Sequence, residues 1–207
     1  MVELFISAFI TLFVVIDPPG CAPIYAGLTH GATTAQRRSM AIRACLIAAI
    51  ILLVFALFGE DLLGALHIEL DAFRIAGGLM LFLIALDMVF EKRTRRREQR
   101  AEKVMATPEV EDVSVFPMAM PMLAGPGAIA SVMLLEGGAQ GLEGTLVVLG
   151  ALAAVMVLTL LALLAASPLM KMVGAQVEAV ITRLLGVLLA ALAAQYVIDG
   201  LRGSFGV

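Results

Sequence analysis

The chain has 207 residues, 61% of them hydrophobic and only 15% charged, with a net charge of −3 and a mean hydropathy of +1.03. Soluble domains carry roughly 45–50% apolar and about 25% charged residues, so the charges here are too few to cover a soluble surface. A surface of Leu, Ile, Val and Ala is instead one that lipid can cover.

The N-terminus is apolar from the start and lacks the basic n-region and small-residue cleavage site of a secretory signal. It reads as a retained first span. A helix needs about 20 apolar residues to cross the hydrocarbon core, and six stretches qualify. Span one is expected from Val2 to Leu28, span two from Met40 to Phe58 and span three from Phe73 to Phe90. A polar segment, Glu91 to Asp112, follows, with seven cations between Lys92 and Lys103 and with Glu109, Glu111 and Asp112 at its end. Span four is expected from Val113 to Leu135, span five from Thr145 to Ala166 and span six from Ile181 to Ile198. The chain thus divides into a first three-helix repeat (1–90), a charged linker (91–112) and a second three-helix repeat (113–207).

The linker reads as a solvated cytoplasmic segment. No aromatic residue interleaves its basic run and no folded module surrounds it, so nucleic acid is not an expected partner. With six spans, the loops after spans one, three and five share one side and hold twelve of the 14 Lys and Arg residues. Arg74 and Arg202 alone lie on the other side, among Glu60, Asp61, Glu69 and Asp71. The positive-inside rule places the linker in the cytoplasm and both termini outside.

The halves match in sequence. Asp17-Pro18-Pro19-Gly20 interrupts span one and Gly125-Pro126-Gly127 interrupts span four, with Gly20 and Gly127 offset by 107 residues. Arg74 and Gly77 open span three and Arg183 and Gly186 open span six, each offset by 109. This is an internal repeat. Because three spans is an odd number, the second repeat must enter the membrane from the opposite face. Inverted repeats with interrupted helices in matching positions mark the solute site of many secondary transporters. The fold expected is all-α, six membrane helices in two inverted three-helix repeats, with helices one and four broken.

The interruptions carry the chemistry. Proline lacks an N–H and clashes with the preceding turn, whereas Asp before Pro starts a helix, Asp as N-cap and Pro at the first position. A helix stopping near Ile16 and restarting near Pro18 leaves free N–H groups that lipid cannot satisfy. Pro23 continues the first motif. In the second, Pro121-Met122-Leu123-Ala124-Gly125-Pro126-Gly127, Gly125 can cap and Pro126 can start the next half-helix. A simple proline kink explains either motif alone; their repetition points to a binding site. The candidate substrate-binding residues are Asp17, Pro18, Pro19, Gly20 and Pro23, then Pro121, Ala124, Gly125, Pro126 and Gly127.

Asp17 is the one carboxylate deep inside a span, since Asp87 and Glu91 sit near a cytoplasmic end. It either caps a half-helix or holds a substrate ammonium or a coupling proton. Arg74 and Arg183 read first as side chains snorkelling to headgroups, and second as a gating or charge partner of the site. Gly77, Gly78 and Gly186 read as close helix packing. Cys21 and Cys45 lie in apolar stretches as core residues, and His30 and His67 are not spaced as ligands, so neither a metal nor a cofactor is expected. The spans offer no Ser-His pair, no paired Asp and no His-Glu zinc motif, so an enzyme is not expected.

At these motifs the chain resembles the MarC family of integral membrane proteins, also called the SnatA-type small neutral amino acid transporters. The matching segments are Asp17 to Pro23, Phe73 to Gly78, Pro121 to Ile129, and Thr182 to Gly186 with Asp199-Gly200, and they cover essentially the whole chain. The resemblance implies a bacterial or archaeal inner-membrane protein with an inverted three-plus-three repeat, carrying solutes such as glycine or alanine. The family often has Asn where Asp17 stands and Leu where Met122 stands, which weighs against an obligatory proton on Asp17. The expected partners are a small amino acid and the lipid bilayer, with room for a coupling ion, proton or sodium, and for a homo-oligomer. The competing readings are a translocase of a lipid or isoprenoid carrier, which would want a basic pocket for phosphate, and an intramembrane enzyme.

Overall fold

The computed structural model describes residues 1–90, 92, 96–99 and 112–206; within these, residues 167–178 are described by backbone alone. Most of the expected linker, 93–95 and 100–111, lies outside the described residues, as does the side chain of Lys171. All regular elements among the described residues are helical: α1 (Val2–Ile16), α2 (Pro18–Leu28), α3 (Thr34–Ala65), α4 (Leu70–Val89), α5 (Ser114–Leu123), α6 (Pro126–Gly137), α7 (Gly141–Leu164) and α8 (Ala166–Phe205). Among the described residues, five stretches are long and apolar enough to cross a membrane, Val2–Leu28, Thr34–Ala65, Leu70–Val89, Gly141–Leu164 and Ala179–Phe205; the bent pair α5–α6 makes up to six.

Local chemistry sets the element ends. Asp17 takes the left-handed conformation (φ 58°, ψ 64°) while its N–H still bonds the Phe13 carbonyl at 2.9 Å, and α2 restarts at Pro18. Thr33 and Gln36 form a reciprocal capping box that starts α3. The 32 residues of α3 span about 48 Å at 1.5 Å per residue, more than the roughly 30 Å hydrocarbon core. Its first turns, with Arg37 and Arg38, therefore project beyond the apolar layer. Helix α5 is kinked, and Phe116 and Met120 within it fall into extended backbone. Each stands immediately before a proline, Pro117 or Pro121, whose ring pushes the preceding residue out of the helical region. The axis then turns by 52° into α6.

The sequence reading differs from the structure between spans five and six. Where a polar loop is expected, α8 begins at Ala166 and runs 40 residues. Its one proline, Pro168, falls in the first turn, where the missing N–H costs no hydrogen bond. The following Met, Lys, Ala, Gln and Glu are helix formers, so polarity here marks a helix outside the apolar layer.

Packing places α2 and α6 inside. Eight of the 12 residues of α6 are buried, as expected of a helix that is apolar all round. The outer helices turn Leu46, Ile50, Leu53 and Leu57 of α3, Leu79 and Leu83 of α4, and Leu184 and Leu188 of α8 outward, the apolar surface a bilayer covers. Helices α4 and α8 form the most extensive interface and run antiparallel. A Cβ on Gly78 would lie 2.8 Å from the Ala193 carbonyl oxygen, one on Gly186 would lie 2.9 Å from Met88 Cβ and 3.2 Å from the Ala85 carbonyl oxygen, and one on Gly200 would lie 2.7 Å from the Asp71 carbonyl oxygen. Small residues here let two backbones touch, the main source of helix association where lipid removes the hydrophobic drive.

Candidate functional site

The α1–α2 break is closed by its own side chain. Asp17 is 1% exposed; its Oδ1 accepts from the Gly20 N–H at 3.1 Å, which caps α2. Gly20 has to be glycine, because a Cβ there would come closer than 3.0 Å to the Asp17 carboxylate. Pro18 is buried at the first position of α2, while Pro19 and Pro23 are half-buried on its flank.

The second Asp17 oxygen reaches a residue that sequence reasoning missed. Arg97 Nη1 donates to Asp17 Oδ2 at 2.9 Å across 80 residues of chain. The Arg97 side chain is 8% exposed and that of Asp17 2%. Arg97 Nη2 also reaches the Met122 carbonyl oxygen at 3.5 Å. This side chain of the supposedly solvated linker therefore bridges the α1–α2 break and the end of α5. Breaking such a buried pair by removing one partner costs about 3–5 kcal/mol, because the other charge is left uncompensated.

The α5–α6 break is built differently. Gly125 is the N-cap of α6 in extended backbone, with no side chain to accept from the first turn, so the N–H groups of Gly127 and Ala128 have no partner within the helix. A Cβ on Gly125 would come closer than 3.0 Å to the Pro121 carbonyl oxygen, and one on Gly127 equally close to Ile84 Cδ1 and 3.5 Å from Val15 Cγ1. The two breaks thus adjoin through Val15 and Gly127.

Beside the uncapped end of α6 lies a cavity of about 160 Å³, lined by Pro121, Met122 and Gly125 to Ala128 together with Val15, Ile84, Asp87, Arg96 and Arg97. Arg96 forms an ion pair with Asp87. Of the expected site residues, Pro121, Gly125, Pro126 and Gly127 line this cavity. Asp17, with Pro18, Pro19, Gly20 and Pro23, lies behind Arg97, and Ala124 is buried at the bend. Arg74 and Arg183 do not line it: Arg74 donates to Asp71 at 2.7 Å on its own helix, and Arg183 is exposed on α8. One signal for Arg97 was present in the sequence. A carboxylate at membrane depth needs a cationic partner, and the linker holds half of the chain's Lys and Arg.

The fold, with its apolar perimeter and five to six crossing helices, is that of a multi-pass integral membrane protein. The chain belongs to the MarC family of integral membrane proteins, whose sequence profile matches residues 2–205. Among its relatives, the membrane protein YvbG of Bacillus subtilis is 35% identical over 207 residues, covering 100% of this chain and 98% of YvbG. A membrane protein of Methanocaldococcus jannaschii is 35% identical over 202 residues, 98% of each chain, and the inner membrane protein YhgN of Escherichia coli is 32% identical over 197 residues, 95% of each. No solved structure matches the chain.

Proposed function

We propose that the protein is a carrier of small neutral amino acids such as glycine or alanine, seated in the cell's inner membrane like its relative YhgN, with the solute bound at the α5–α6 break. The observation that carries this reading is the cavity at the uncapped N-terminus of α6, which Arg97 also lines. Free N–H groups and a helix dipole attract a carboxylate, and Arg97 adds a charge-assisted donor. The cavity has room for a solute of a few heavy atoms.

The carrier reading includes two inverted three-helix repeats, α1–α4 and α5–α8. Support comes from reciprocal packing: α1 lies on α7 and α5 on α3; α2 lies on α8 and α6 on α4; α2 lies on α7 and α6 on α3. Gly78 meets the Ala193 carbonyl, and Gly186 meets the Ala85 carbonyl. Each of these contacts becomes the other when both residues shift by 108 positions, as a two-fold axis between the halves requires. Both termini then lie outside the cytoplasm and the linker inside.

The test is counterflow of labelled glycine and alanine in proteoliposomes, against a panel of larger and charged amino acids. Exchange of the small neutral ones is the expected result, and none for any amino acid would overturn the reading. A reporter active only in the cytoplasm, fused after Val207, should stay silent.

A further inference from the structure

Arg97 lines the cavity and Asp17 does not, so the guanidinium is a wall between the carboxylate and the space where a solute would sit. The two Asp17 oxygens do separate work: Oδ1 caps α2 through the Gly20 N–H, and Oδ2 holds Arg97. Among the described residues around the cavity, Asp17 pairs with Arg97 and Asp87 with Arg96. A solute with net charge would add an unbalanced charge to a site of low dielectric. Separating Asp17 from Arg97 with nothing in between would strand two.

We infer that the Asp17–Arg97 bridge is exchanged for a zwitterion. An α-amino acid presents its carboxylate to Arg97 and the α6 N-terminus, and its ammonium to Asp17 Oδ2. One solute thereby replaces both halves of the ion pair at once. Oδ1 keeps its bond to Gly20, so the α1–α2 break survives the exchange. A carboxylate alone satisfies Arg97 and strands Asp17; an amine alone does the reverse. Arg97 is then the residue that makes the site select for zwitterions. The inference rests on the carrier reading and adds the groups that recognise the solute and the ion pair it displaces. It also gives Arg97 a part in joining the halves, since it touches the first repeat at Asp17 and the second at the Met122 carbonyl.

The experiment uses the full chain in nanodiscs with alanine, propionate and ethylamine as probes, and binding read by calorimetry. Alanine is expected to bind, and propionate and ethylamine are not. Arg97→Gln and Asp17→Asn should each weaken alanine binding at least about 30-fold, and Arg97→Lys, which keeps the charge but loses the planar fork, should retain part of it. The native thiol of Cys21 supplies a second readout besides calorimetry. It is fully buried one turn past Asp17, its Sγ 3.4 Å from the Ile16 carbonyl oxygen. In a Cys45→Ala background, alanine but not propionate should speed its alkylation, and Arg97→Gln should speed it without any solute. If wild type binds and exchanges no amino acid, the carrier reading itself fails. If wild type binds alanine but Arg97→Gln binds it equally well, or propionate binds as tightly as alanine, only the exchange of the ion pair is overturned.

Discussion

The two interrupted helices solve one problem in opposite ways. Both restart at a proline and so leave first-turn N–H groups where lipid cannot serve them. At α2 the chain supplies the anion itself, with Asp17 as cap and Arg97 as its counter-charge. At α6 the cap position is Gly125, which has no side chain to accept, and the cavity that Arg96 and Arg97 also line adjoins it. A carboxylate built into one break and none in the other make sense together if a solute serves the second. Under the proposed two-repeat reading, the halves would then be symmetric in packing and asymmetric in chemistry.

The largest effect should come from filling the space that glycine leaves at the second break. Gly125→Leu puts a side chain against the Pro121 carbonyl, which is backbone and cannot swing aside. The turn from α5 into α6 must shift, and a displacement near 1 Å at a site can cost about 100-fold in rate. Exchange of alanine should therefore fall by that much or more, while insertion persists because Leu raises the hydropathy of the span. Wild-type exchange in this variant would remove the second break from the site.

At the first break, capping and charge can be separated. Asp17→Asn keeps an acceptor for the Gly20 N–H and should preserve the α1–α2 restart, since Asn caps about as well as Asp. Asp17→Leu removes cap and charge together. Thermal unfolding of the purified protein should therefore rank wild type above Asp17→Asn, and Asp17→Leu lowest. The gap between wild type and Asn reports the stranded Arg97, and the gap between Asn and Leu reports the cap, worth about 0.5–2 kcal/mol in water and more in hydrocarbon. Equal loss in both variants would mean that the cap contributes nothing measurable.

A smaller effect tests the contact between the breaks. The methyl added by Gly127→Ala meets the far end of Ile84, a flexible side chain, so the cost should be modest, about 1–3 kcal/mol for overpacking. Ile84→Val removes the clashing Cδ1. The double variant should recover most of what Gly127→Ala loses, a non-additivity that a double-mutant cycle measures directly. Simple addition of the two losses would place the clash elsewhere.

Much of this was legible in the sequence because it is local. Asp17-Pro18 announces a stop and restart within two residues, Gly125-Pro126 does the same without a cap, and Gly78 and Gly186 read as close helix packing, although the sequence pairs Gly186 with Gly77. The start of α8 at Ala166 was not read, because span assignment follows hydropathy and a polar helix outside the apolar layer resembles a loop. Arg97 was not read either. The ion pair closes over 80 residues, and in a run of seven cations nothing in composition or period singles out the fifth. Asp17 signals that a partner exists; only the fold says which.

The smallest expected effect compares the buried ion pair with an exposed one of the same chemistry. Arg43 of α3 contacts Asp112, just before α5, at 2.6 Å, with side chains 56% and 38% exposed. Hydrogen bonding from Ser114, whose backbone N–H donates to Asp112 Oδ1 at 2.9 Å, together with the Arg43 charge, outweighs partial burial and holds this carboxyl below its ordinary range. A depressed folded-state pKa contributes stability that is fully present above the unfolded value, about 3.9 for Asp, and is lost as pH falls through the folded one. Water and salt screen the Arg43 contact, so Asp112→Asn should cost only about 0.2–1 kcal/mol at neutral pH. That cost should shrink below pH 4 and, in the part due to Arg43, in high salt. Asp17→Asn should be far less sensitive to salt, because its pair is shielded from solvent by protein. Melting temperatures of both variants at low and high ionic strength measure the contrast directly. Equal salt dependence would show that solvent reaches the Asp17–Arg97 pair, and the low dielectric assigned to the site would have to be given up.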